Sequence, residues 1–128
     1  MGFRLTTPEG ITEGAFVRPT IFANVKNRMR IAQEEIFGPV VCVIPYEDID
    51  DAVRIANDSE YGLAGGVWAG SEEEGLAVAR RLRTGTVSVN GAFPGFQAPF
   101  GGYKNSGIGR EFGTEGIGHY VEHKAIGV

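Results

Sequence analysis

An α/β fold with a parallel β-α-β-α-β core is what this 128-residue sequence predicts, and three observations carry the expectation. Three β-prone runs occur, Val40–Tyr46, Leu63–Ala69 and Thr86–Asn90. Between them lie segments of helical period: Ile49, Ala52, Val53 and Ala56 recur at i, i+3, i+4 and i+7, and Gly75, Val78, Ala79 and Leu82 repeat the pattern. Connections of that length are crossovers, not hairpins, so the strands should run parallel and the crossovers right-handed.

Each element has its own local cause. Residues 1–14, with Pro8, Gly10 and Gly14, read as a loose lead-in. Phe16–Phe22 is β-forming but interrupted by Pro19, so it is expected as an edge strand or two short extended pieces. Met29–Gln33 fits a single helical turn. It leads into Glu34-Glu35-Ile36-Phe37-Gly38-Pro39, where proline can neither continue a helix nor donate to a ladder. The run Val40-Val41-Cys42-Val43-Ile44 then reads as a strand covered on both faces. Asp48 can cap the first crossover helix, and Tyr61-Gly62 marks its exit. Ser71 with Glu74 forms a capping box for the second.

The third strand ends at Asn90, and open α/β sheets place ligands at such C-terminal strand ends. The loop from Gly91 to Gly109 that follows is too long to be an idle connection, and its aromatics and prolines argue for order. A helix over roughly Gly109–His119 comes next. The tail from Tyr120 to Val128 alternates like a strand, yet no neighbour in the chain is reserved for it.

Composition narrows the function. A net charge of −4 with dispersed Lys and Arg argues against a nucleic-acid surface. No apolar run reaches the roughly 18 residues of a membrane span, and no secretory signal opens the sequence. A single cysteine fits a reducing compartment, so a cytoplasmic location is expected. Glycine makes up 20 of the residues, eleven of them from Gly85 to Gly127, against a usual share of about 7%. Such density means backbone that turns tightly or approaches something closely.

Within the Glu34–Pro39 stretch, Glu35 and Phe37 can face one cavity, a carboxylate able to grip a pair of hydroxyls beside a ring able to shape a flat ligand. Cys42 lies inside an apolar run, where a buried small hydrophobe is the default rather than a nucleophile. No metal site is expected: His119 and His123 are four apart on a predicted strand, and Glu72-Glu73-Glu74 is first-turn helix charge. Gly107-Ile108-Gly109-Arg110-Glu111-Phe112-Gly113 is one residue too long for a dinucleotide fingerprint.

Four segments in one order carry a more specific signal: Glu34–Pro39, Tyr61-Gly62-Leu63-Ala64, Gly85–Asn90, and Pro99–Gly107 with Gly109-Arg110-Glu111. Their order and spacing resemble the aldehyde dehydrogenase superfamily over roughly Phe16–Val128. The resemblance implies oxidation of an aldehyde to a carboxylic acid with NAD or NADP through a cysteine hemithioacetal. It implies that Glu35 binds the nicotinamide ribose, that Phe37 packs beside the nicotinamide, and that Phe100 and, more loosely, Phe96 line the substrate entrance.

The resemblance covers only the last quarter of such an enzyme, so the nucleophile and its base are expected upstream and no catalytic residue in this chain. It divides the chain into residues 1–105 of a catalytic domain, a helix over 106–120 that packs on a nucleotide-binding domain, and an oligomerisation strand over 121–128. A homo-oligomer, dimer or tetramer, is the implied assembly. A non-catalytic interaction module that keeps the fold is the alternative.

Overall fold

The computed structural model describes residues 3–4, 10, 14 and 16–128. The chain forms two compact units, Met1–Ile55 and Ala56–Val128.

In the first unit, β1 (Phe3–Arg4) pairs antiparallel with β2 (Thr20–Phe22), and β2 pairs parallel with β3 (Val40–Cys42) in the register Thr20↔Val40, Ile21↔Val41, Phe22↔Cys42. Pro19 and Pro39 each stand one residue before a paired strand, so their missing N–H groups fall outside the ladder. The Thr20 N–H donates to the Pro39 carbonyl at 2.9 Å. Between β2 and β3 runs the short helix α1 (Arg30–Gln33), the expected single turn.

Three expectations are corrected here. Thr20–Phe22 is not an edge strand, because it has a partner on each side. The parallel partner of β3 is β2, reached through α1, while Ala64–Val67 and Thr86–Val89 pair with each other, so the expected three-stranded parallel ladder is not among the pairings of the described residues. Nor is the lead-in wholly loose, since Phe3–Arg4 is β1; most of the remainder of 1–14 lies outside the described residues. The β3 run alternates instead of being covered on both faces. Val40, Cys42 and Ile44 are half-buried on one side, while Val41 and Val43 are exposed on the other.

Helix α2 (Ile49–Asn57) follows its predicted cap: Asp48 Oδ1 accepts the Asp51 N–H at 2.8 Å. Asp51 in turn accepts from the Arg54 guanidinium and the Glu47 N–H, and those two donors, the arginine first, hold its carboxyl below the ordinary 3.8. Val53 is the buried residue of the helix.

In the second unit, β5 (Ala64–Val67) and β6 (Thr86–Val89) pair in parallel across α3 (Glu72–Ala79), one right-length β-α-β unit as expected. Ser71 Oγ caps α3 by accepting the Glu74 N–H at 3.2 Å. Gly75 is the buried residue of α3, and a Cβ there would fall on Val89 of β6. Tyr61-Gly62, expected only as a helix exit, is strand β4 and pairs antiparallel with β7 (Tyr103–Lys104). The long loop is therefore ordered from inside by β7. It is also closed by a bridge in which Phe100 and Glu111 exchange both N–H···O bonds at 2.7 Å.

That bridge shortens the last helix. Glu111 is held in the bridge, so α4 spans only Gly113–Ile117, followed by a 3-10 turn at Gly118–Tyr120. Residues 121–128 are exposed and form no strand, and none of the strands among the described residues pairs with them. Among the described residues no helix is long and apolar enough to cross a membrane.

Candidate functional site

Two groups of residues carry the candidate chemistry, one in each compact unit. In the first, Glu34 is the residue just after helix α1, and its two carboxylate oxygens both accept from Arg30 Nε at 2.8 Å. Its neighbour Glu35 is exposed and has no hydrogen-bond or ion-pair partner among the described residues. Of two adjacent carboxylates, one is satisfied by the protein and the other is free to accept from a ligand.

The backbone then turns sharply. Phe37 sits at φ +53°, a left-handed conformation that costs a bulky residue about 1–2 kcal/mol. Its ring is 92% exposed. The Val40 N–H donates to the Gly38 carbonyl at 2.7 Å, closing a three-residue turn around Pro39. Strain spent on an exposed ring marks a site whose conformation serves something other than packing.

A cavity of about 630 Å³ opens here, lined by Glu35, Ile36, Phe37, Ala32, Cys42 and Ile44 among others. The free carboxylate can accept both protons of a vicinal diol, and a charged acceptor makes the stronger bonds. A flat ring beside it suits a heterocycle attached to that diol. Cys42 was expected as a buried structural residue; it is half-buried and borders this cavity. Its thiol donates to the Ile31 carbonyl at 3.5 Å, so it is engaged with the protein.

In the second unit, Phe96 and Phe100 are brought into one array through a residue the sequence reasoning missed. Phe96 packs edge-on against Phe93 at 5.5 Å and against Phe112 at 5.7 Å. Phe112 also meets Phe100 at 6.2 Å. Phe100 and Phe112 border a cavity of about 690 Å³, and Phe96 lies outside it. Phe112 directly follows Gly109-Arg110-Glu111, and no local sequence signal marks it, because its ring partners lie more than ten residues away.

The polar residues of the glycine-rich segment hold the loop rather than face a ligand. Lys104 Nζ donates to the Asn57 and Ser59 carbonyls at 2.7 and 2.8 Å. Ser106 Oγ accepts the Gly62 N–H at 3.0 Å. Arg110 donates to the Gly102 and Gly109 carbonyls at 2.9 and 2.7 Å. Its guanidinium and that of Arg83 lie 5.4 and 5.3 Å from the Tyr103 ring. Glycine lets these strands of backbone touch: a Cβ on Gly85 would fall on the Gly101 carbonyl. His119 Nε2 accepts the Arg110 N–H at 3.4 Å, and among the described residues no three His, Cys, Asp or Glu side chains gather as a metal site.

Parallel β-α-β pairings in both units, with an unpaired carboxylate beside Phe37 in the first and a phenylalanine-lined loop in the second, characterise an α/β protein. The aldehyde dehydrogenase family model matches residues 2–126, and the chain belongs to that family. It is 58% identical over 113 residues to geranial dehydrogenase of Castellaniella defragrans, covering 88% of this chain and 24% of that protein. It is 54% identical over 122 residues to a 3-succinoylsemialdehyde-pyridine dehydrogenase of Pseudomonas sp, covering 95% and 26%.

Among solved structures it resembles Mycobacterium tuberculosis aldehyde dehydrogenase complexed with NAD+, at 54% identity and a TM-score of 0.84, over 89% of this chain and 24% of that one. A mutant of aldehyde dehydrogenase C from Pseudomonas syringae, in complex with NAD+ and octanal, is similar at 51% identity and a TM-score of 0.85, over 92% and 24%. The chain spans about a quarter of the length of the curated relatives it matches.

Proposed function

We propose that this chain is the C-terminal portion of a longer aldehyde dehydrogenase, where it supplies the nicotinamide-ribose grip and part of the substrate entrance. The observation that carries the reading is Glu35, unpaired and exposed beside the strained ring of Phe37. A carboxylate buried in an internal ion pair would have argued against it. NAD or NADP, when bound, supplies the hydride acceptor. Glu35 accepts the ribose hydroxyl protons, and Phe37 limits where the attached ring can lie, so that reacting atoms approach within roughly 3–3.5 Å. Phe100 and Phe96 give an aldehyde an apolar approach. The nucleophile and the base belong to the remainder of the enzyme, so the isolated chain is inactive.

In this reading residues 1–105 complete a catalytic domain, 106–120 pack on a nucleotide-binding domain, and 121–128 add a strand to a second subunit of a cytoplasmic dimer or tetramer. The exposure of Val121 and Ile126 supports the last assignment, since an apolar segment without a partner in its own chain is suited to one outside it. The same exposure favours a second reading, a non-catalytic module that kept only the oligomerising surface.

Substitution of Glu35 separates the two. In the complete enzyme, Glu35→Gln is expected to slow single-turnover hydride transfer about tenfold or more, the loss of one or two charge-assisted hydrogen bonds. An unchanged rate removes the role given to Glu35.

A further inference from the structure

We infer that Phe112 is a positioning residue that locks Phe96 and Phe100 into one aromatic wall, and that this wall selects aldehydes with an apolar body over short ones. The inference rests on the aldehyde dehydrogenase reading and deepens it.

Two ring contacts and the backbone on either side of it fix Phe112. Its ring touches both Phe96 and Phe100, at 5.7 and 6.2 Å, whereas those two meet each other only through it. Its backbone follows the Phe100↔Glu111 bridge directly, so the Phe100 main chain and the Phe112 side chain are fixed by one element. The next residue, Gly113, lies so close under the loop that an added Cβ would stand 2.8 Å from the Gln97 carbonyl, between the two entrance rings in sequence.

Phe112 also holds a conformation that stability alone does not favour. Its φ is +59°, yet the ring is half-exposed and Gly113 after it is also left-handed. A glycine would adopt that corner without strain, so a bulky ring there points to a use for the ring itself. What the ring does is visible: it joins the Phe93–Phe96 pair to Phe100, so that four rings stand in one array. Such a surface gains contact with each methylene of a substrate and almost nothing from a two-carbon aldehyde.

The test compares octanal with acetaldehyde in the complete enzyme at saturating NAD+. Phe112→Ala is expected to raise KM for octanal about tenfold while kcat and the acetaldehyde KM stay within about twofold, as two lost ring contacts would require. Phe112→Tyr, which restores the ring, should return the octanal KM to that of the parent. Phe112→Leu serves if the alanine variant does not fold, with a smaller rise confined to octanal. Equal changes for both aldehydes, or none, overturn the inference and would show Phe112 to be structural. A parent enzyme that oxidises neither aldehyde defeats the functional reading itself, a result distinct from an active parent whose substrate preference ignores position 112.

Discussion

Phe37 and Phe112 both keep a side chain where the backbone favours glycine, and both place the ring outside the packed interior. At Phe37 the consequence for stability is simple, because a ring 92% exposed contributes little packing to offset its strain. Phe37→Gly is therefore expected to stabilise the 128-residue chain by roughly 1 kcal/mol, read as a higher denaturation midpoint, while raising KM for the cofactor in the complete enzyme. A lower midpoint would mean that the ring is packed against the protein. Glu35 and Phe37 were legible in the sequence because Gly38-Pro39 fixes their turn, a local effect. The left-handed angle at Phe37 was not legible, since nothing in the residue type announces it. Phe112 escaped notice for a different reason: its role arises from rings far apart in sequence meeting across a loop.

The elements followed the sequence wherever their cause was local. Asp48 and Ser71 cap the two crossover helices because a side-chain oxygen within three residues of an orphan N–H is a short-range matter. Pairing partners are a long-range matter, and there the reading failed: β2 became a central strand because Pro19 precedes the ladder instead of interrupting it. The last helix was overestimated because Glu111 is drawn into a bridge with Phe100.

Glycine content was legible, but its purpose depends on which backbones touch. Gly85 is the clearest instance, since its neighbour is the Gly101 carbonyl, main chain that cannot rotate away. Gly85→Ala should destabilise the chain by about 2 kcal/mol or more, whereas Gly118→Ala, helical and with open space around it, should be neutral or stabilising by up to about 1 kcal/mol. Equal midpoints for the two variants in urea denaturation would contradict the close approach.

For the molecule as a whole, the exposed face of β3, the exposed Trp68 and the unpaired tail give each unit apolar surface without a cover. The sequence read β3 as covered on both faces, and its residues do have that character; the second cover is absent from its own unit. A chain spanning about a quarter of its relatives' length explains this if the remainder packs on these faces. The isolated chain should accordingly self-associate, and a monodisperse monomer by light scattering at tens of micromolar would count against exposed interface surface. The proposed function is a division of labour, in which this chain orients cofactor and substrate and the rest of the enzyme carries the nucleophile. NADH formation measured with aldehyde and NAD+ tests it most directly. The complete enzyme should produce NADH and the 128-residue chain none, whereas NADH from the chain alone, abolished by Cys42→Ser, would contradict the claim and make Cys42 the nucleophile.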